Sequence, residues 1–305
     1  MLDTPARAIR IGALIDAAAT PVQSISRLLS LGVETVALSF WGNIAGTDLG
    51  SLAAEVSELL VANAPAGMPV GVSALGCYGN VLGGDSAASL TLSSIESLIR
   101  GAPDFGASVV GCFAGRVPGR SVPDSIEAWK KAFGPLAELA AGQGVTIAFE
   151  NCRLGDTWKT GKWNIAINPD AWQLMLGALP GAPLGLEWEP SHQILAMADP
   201  LVQLETWARR VVHVHAKDAR IDRAALALHG IHGSTKIGVE CRAGLGDTDW
   251  AALFGLLMRN GYRGSVDVEI GADPEYHGER EFEGIELALA WLGKARTAAA
   301  SAARP

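Results

Sequence analysis

Residues 184–217, LGLEWEPSHQILAMADPLVQLETWARRVVHVHAK, place two short apolar runs on either side of a stretch with helical spacing. Apolar runs of about four to eight residues read as buried strands, and a strand, helix, strand order reads as one unit of a parallel sheet. The same unit recurs in both directions. The strands expected are IRIGALI (9–15), ETVALSF (34–40), PVGVSAL (69–75), SVVGCFA (108–114), VTIAFE (145–150), LGLEWE (184–189), VVHVHAK (211–217) and SVDVEI (265–270). Eight such units close naturally into a barrel, and no GxGxxG follows the first strand to favour an open doubly wound sheet. The expected fold class is therefore α/β, a single (β/α)8 TIM barrel occupying 1–305 as one domain. Its core is expected over about 8–296, with a frayed tail, TAAASAARP.

Helix starts are expected near Asp48, Ser89, Pro123–Asp124, Pro169–Asp170 and Asp249, residue types that cap or open helices. Two βα loops are long, 151–168 and 218–248, the second with room for a short helix around 222–229. Long loops on a rigid barrel usually cover the active site.

The chain is 49% hydrophobic, which suits a large close-packed core and excludes a disordered chain. Its net charge of -8 comes from scattered acids without a lysine or arginine run. Nucleic acid and anionic membrane are thus disfavoured as partners, and a small molecule is expected. Cys77, Cys112, Cys152 and Cys241 lie far apart and form no CxxC pair, which fits reduced thiols and a cytoplasmic location. An arginine interrupts the apolar stretch of the N-terminus, and no run of eighteen apolar residues exists. Neither a signal peptide nor a membrane span is expected.

In a barrel of this kind reactive groups sit where strands end and βα loops begin. Glu150, Glu189, His215 and Glu269 lie at or near the ends of the last four expected strands. Closing the barrel brings those ends around one axis. Three carboxylates and an imidazole suit a divalent ion, Mn²⁺ first, with Mg²⁺ or Co²⁺ as alternatives and Zn²⁺ less expected. A buried acid without a partner is expensive, so four converging groups favour a shared cation.

LGLEWEPSHQ (184–193), HVHAKD (213–218), CRAGLGDTDW (241–250) and VEIGADP (268–274) appear in the order of motifs of one known group. The chain resembles the xylose-isomerase-like sugar isomerase/epimerase superfamily over about 145–295, and more loosely in its first half through the barrel pattern and SALGCYGN (73–80). The resemblance implies Glu150, Glu189, His215 and Glu269 as metal ligands and His192 as a substrate-side or supporting group. Glu189 departs from the usual aspartate. Its extra methylene either pushes the ion toward substrate or exchanges direct ligation for a water bridge. IGADP after Glu269 also departs from the superfamily's shorter His-Glu-Asp-Pro.

Arg242, in the motif before Gly244 and Gly246, resembles the substrate-side arginine of that group, and bracing its own loop is an equal reading. Lys217 shares the parity of His215 and either contacts a substrate oxygen or forms a rim salt bridge. His213 is assigned to the opposite face of its strand, as a packed histidine on the helix side. Among nine tryptophans, Trp41, Trp158, Trp163 and Trp188 lie at strand ends or in long loops, where indoles stack on sugar faces or pack a lid. Trp41 and Asn164 are carried as substrate-binding candidates, with Tyr78 and Asn80 as weaker ones.

The expected activity is a divalent-metal-dependent sugar isomerase or epimerase acting through an enediolate on a ketose or keto-sugar. Glu150 and Glu269 are the expected acid/base pair, with His192 as a further catalytic candidate. The alternative is a lyase of the same superfamily, a keto-inositol dehydratase or a 3-keto-glycoside-cleaving enzyme, because one enediolate serves both outcomes. The superfamily's abasic-DNA endonuclease needs more histidines and a basic groove than this acidic chain with six histidines offers. A homo-oligomer or a partner subunit fits the class of barrel.

Overall fold

The structure is a computed structural model that describes residues 9–44, 46–63, 69–271 and 273–302. Its strands are β1 (Arg10–Asp16), β2 (Thr35–Trp41), β3 (Gly71–Tyr78), β4 (Val109–Cys112), β5 (Thr146–Glu150), β6 (Leu184–Trp188), β7 (Val211–Ile221), β8 (Gly238–Arg242) and β9 (Ser265–Val268). Its α-helices are α1 (Pro21–Ser30), α2 (Leu49–Asn63), α3 (Ser86–Gly101), α4 (Val122–Gln143), α5 (Pro169–Ala178), α6 (Ser191–Leu195), α7 (Pro200–Trp207), α8 (Arg223–His229), α9 (Trp250–Arg259) and α10 (Glu281–Ala302). The hydrogen-bonded order runs β6-β5-β4-β3-β2-β1-β9-β7, and β7 pairs with β6 in turn. Eight strands closed on themselves with helices between them make a (β/α)8 TIM barrel. The ninth strand, β8, joins only the far end of β7, in antiparallel sense.

The chain divides into two compact units, Leu14–Trp188 with Arg210–His213, and Met1–Ala13 with Glu189–Arg209 and Val214–Pro305. In the first unit the parallel ladder from β2 to β6 is buried along nearly its whole length. Near-continuous burial is what helices on the outside and side chains on the inside impose on such strands. Trp129 and Phe133 of α4 pack on Phe149 of β5, with ring centroids 5.6 and 4.9 Å away. Each fully buried ring of this size contributes about 3 kcal/mol relative to exposure.

In the second unit Arg10–Ala13 pairs in parallel with Ser265–Val268, and β9 pairs with β7 so that His215 lies opposite Asp267. The Glu269 amide still bonds to the Ala216 carbonyl, at 3.4 Å, so the ladder's geometry carries one residue past β9 and aims Glu269 beside His215. Beyond Ala216 the strand leaves the barrel and folds as a ribbon with β8, from Lys217↔Arg242 to Ile221↔Gly238.

All eight expected strands exist, with ends that coincide or shift by up to four residues. Four details differ from expectation. The ribbon was not expected, since GVECR (238–242) carries no clear period and no tight-turn signal precedes it. Helix α3 begins at Ser86, not Ser89, because the Asp85 carboxylate accepts from the Ala88 amide and caps it three residues earlier. Helix α4 begins at Val122 with Ser121 as its cap. The tail expected to fray continues α10 to Ala302, where Ala299 is buried and Arg296 bonds to the Ile9 carbonyl; residues 303–305 lie outside the described residues. Among the described residues no helix is long and apolar enough to cross a membrane.

Candidate active site

In the second unit five groups from four segments meet. Glu189 follows β6, His192 lies on α6, His215 and Lys217 alternate along β7, and Glu269 follows β9. One ligand atom each from Glu189, His215 and Glu269 lies within 4.8 Å of the others. His215 Nδ1 is 3.1 Å from Glu269 Oε2, and Lys217 Nζ is 2.7 Å from Glu269 Oε1 and 3.3 Å from Glu189 Oε2. On its other side Glu189 Oε1 meets His192 Nε2 at 2.5 Å and accepts from the Ser191 hydroxyl at 3.0 Å.

The charges respond as this packing requires. Burial alone would raise the Glu189 carboxyl, but His192 and Lys217 beside it bring it below the usual carboxylate range. Burial likewise opposes ionisation of Glu269, and Lys217 and His215 outweigh it, holding that group well below the usual range. For His192, burial disfavours the cation, yet the Glu189 carboxylate lifts the imidazole above its ordinary value.

Asp218 next to Lys217 has a different task. Its carboxylate accepts from Thr248 Oγ1 at 2.6 Å, Trp250 Nε1 at 2.9 Å and the amides of Thr248 and Gly244. It therefore pins the GLGDTDW segment to the end of β7, although burial raises its pKa overall. Arg242 is fixed by Asp273, which accepts from its amide at 2.6 Å, and its guanidinium lies 5.1 Å from the Tyr276 ring and donates to the Ala243 carbonyl. These contacts brace its own loop.

The first unit holds Glu150, Asn164 and Trp41. Glu150 ends β5, is 5% exposed, and lies in register with Glu187 of β6. The Asn164 amide donates to the carbonyls of Glu150 and Cys152, both at 2.8 Å, and accepts from the amides of Ala114 and Ala166. All these bonds tie the long 151–168 loop to the strand ends. Trp41 is 65% exposed at the end of β2, edge-on to Phe113 at 5.9 Å. Trp158 is at the surface, Trp163 lies under Lys162, and Trp188 is fully buried. Asn80 binds the carbonyls of Arg116 and Lys162.

His213 corrects the expectation made for it. Alternation has a period of two, so residues 213 and 215 share a face. His213 accordingly points inward, where Nδ1 lies 2.8 Å from Glu187 Oε1, and Tyr78 donates to Glu187 Oε2 at 2.7 Å. A Cβ at Gly111 of β4, two strands away, would collide with this Glu187 carboxylate, so glycine leaves the room that it occupies. Glu187 was missed, although the same parity links it to Glu189. Glu240, whose Oε1 is 3.3 Å from His192 Nδ1, was also missed, because its position depends on the unexpected ribbon.

The model of the xylose isomerase-like TIM barrel family matches residues 25–295. The chain belongs to this family. Among curated relatives, the rhizopine catabolism protein MocC of Rhizobium meliloti is 30% identical over 151 residues, 48% of this chain and 43% of that protein. An inosose dehydratase of Clostridium tetani is 32% identical over 92 residues, 29% of this chain and 31% of that enzyme. The matches thus span less than half the length of either relative. Among solved structures, an L-ribulose 3-epimerase superimposes with a TM-score of 0.71 at 17% identity, covering 97% of both chains. That likeness concerns the fold.

The donors of the second unit fit a divalent cation. One ligand atom each from Glu189, His215 and Glu269 lies within 4.8 Å of the others, close enough for these carboxylates and this imidazole to share one ion. Two carboxylates against one lysine also leave negative charge for a cation to balance.

Proposed function

We propose that this chain is a divalent-metal-dependent sugar isomerase or epimerase that acts through an enediolate on a ketose or keto-sugar. The observation that carries the reading is Glu269, a nearly buried carboxylate kept ionised between Lys217 and His215 beside Glu189. Glu150, Glu189, His215 and Glu269 are the proposed ligands, with Mn²⁺ the preferred ion. When bound, the ion would polarise the substrate carbonyl and make the adjacent C–H more acidic. Glu269 takes that proton and Glu150 returns one at the other face of the same carbon. Lys217 keeps Glu269 charged before the transfer and offers an N–H to the substrate oxygen that gains charge. Arg242, Trp41 and Asn164 are the substrate-side residues in this reading, Asn164 through the loop it ties down. Four buried cysteines without a CxxC pair support a reducing, cytoplasmic setting. The partner is a small sugar or sugar derivative, met without nucleic acid or membrane, by one chain or by an oligomer.

A second reading has its own support. His192 is a buried imidazole between two carboxylates, placed to hand a proton to a departing hydroxyl, and one relative is named an inosose dehydratase. Elimination from the same enediolate would make the chain a lyase, a keto-inositol dehydratase or a 3-keto-glycoside-cleaving enzyme.

A screen of ketoses and keto-glycosides in D₂O with Mn²⁺ separates the two. Deuterium entering without loss of mass is expected, and Glu150→Gln and Glu269→Gln should each slow it by about 10²–10⁴-fold. Release of water or an aglycone transfers the assignment to the lyase. Exchange at the normal rate in both variants removes the acid/base pair.

A further inference from the structure

Helix α6, which carries His192, has only five residues, too few to fix a side chain by its own hydrogen bonds. What holds it is the ribbon. Ile194 of α6 packs with Ala219 and Ile221 of β7, and Leu195 joins the same cluster. The approach is close enough that a Cβ at Gly238 would meet the Leu195 side chain at 2.8 Å and the Arg220 carbonyl at 2.9 Å. Glycine there lets β8 lie flat against its neighbours.

The ribbon also brings a charged group. Glu240 lies opposite Ala219 in the ladder, so no cross-strand side chain competes for its carboxylate. That carboxylate reaches across to His192, with Oε1 3.3 Å from Nδ1, while Nε2 faces Glu189.

We propose that Glu240 is a positioning residue: it holds the His192 ring by Nδ1 so that Nε2 is presented to Glu189 and to whatever binds beside it. The proposal rests on the reading of His192 as a functional group. An imidazole held at one nitrogen only can swing about its Cα–Cβ and Cβ–Cγ bonds; held at both, it has one orientation. The β7–β8 excursion thereby acts on the site through one charged contact, 3.3 Å long.

The test uses the full chain without metal or substrate. His192 is 8% exposed, so carbethoxylation by diethyl pyrocarbonate, mapped by mass spectrometry, should be slow in the natural protein. Glu240→Met keeps the side chain's length and apolar packing but removes the carboxylate, and should speed His192 modification about tenfold, the worth of one buried charged contact. Glu240→Gln keeps an acceptor oxygen and should stay within about twofold of the natural rate. Long-range ¹H–¹⁵N spectra of the His192 ring should change with Met and not with Gln. A Met variant that modifies at the natural rate, or a Gln variant equal to Met, overturns the proposal. These readouts need no sugar. If the deuterium screen finds no substrate while they hold, the functional reading falls and the orientation of His192 by Glu240 stands.

Discussion

Two glutamates two residues apart, Glu187 and Glu189, each face a histidine, and the surroundings give them opposite characters. Glu187 has both oxygens closed, one by His213 and one by the Tyr78 hydroxyl, with Gly111 on β4, two strands away, leaving room. Glu189 shares its charge with His192 and Lys217, and Lys217 is shared again with Glu269. The first arrangement is a satisfied hydrogen-bond set, whose value is structural order. The second gathers more negative charge than its lysine balances, which is the condition for taking up a cation. Residue type and spacing are the same in both; the partners decide.

The largest test of this contrast is His213→Leu. Removing one partner from a buried carboxylate costs about 3 kcal/mol, about 5 °C in Tm for a chain of 305 residues. The double variant Glu187→Leu/His213→Leu should recover a good part of that loss, because the pair disappears together with the need to satisfy it. A His213→Leu protein as stable as the natural one in thermal melts would show that the Glu187 site is not the structural one.

The next effect belongs to the other region. Mn²⁺ at a hundredfold excess over its Kd should stabilise the natural chain by about 2.7 kcal/mol. Glu189→Ala and His215→Ala should each abolish that Tm rise, whereas Tyr78→Phe, which removes the hydroxyl that donates to Glu187, should retain it. Retention in Glu189→Ala with loss in Tyr78→Phe would exchange the roles assigned to the two glutamates.

Much of this was legible in the sequence. Apolar runs announced all eight barrel strands, and Glu189, His215 and Glu269 stood out because each closes one of them. The Glu187–His213 pair was legible too, since a period of two places 187 with 189 and 213 with 215. What escaped was whatever depends on chain segments meeting outside the barrel repeat. The β7–β8 ribbon has no tight-turn signal, and Glu240 reaches His192 only because Ile194, Ala219 and Ile221 pack together. A glutamate in a half-exposed strand of mixed pattern gives no local sign of a distant imidazole. Arg242 shows the converse: its motif is plain, yet Asp273 and Tyr276 fix how it is used.

The smallest expected effect sharpens the comparison through pH. Burial pushes the Cys77 and Cys241 thiols up to about 12, and Cys112 is raised well above its ordinary value by burial and by Glu187 and Glu150 nearby. A raised thiol pKa in the folded state leaves stability untouched below about pH 8, where neither state ionises. Above that the unfolded thiol loses its proton and the folded one keeps it. Each such thiol then costs stability at about 1.4 kcal/mol per pH unit until it titrates in the folded protein as well. Because Cys112 sits with the closed carboxylate set, its contribution should persist to higher pH than that of Cys241 on the ribbon. Urea unfolding between pH 8 and pH 11 reads the difference. Cys112→Ala should flatten the alkaline fall at least as much as Cys241→Ala, and neither should alter stability near pH 7 beyond the cost of the lost side chain. An alkaline fall in Cys112→Ala as steep as in the natural chain would mean that this thiol titrates in the folded protein as it does in the unfolded chain, and that the closed set is open to solvent after all.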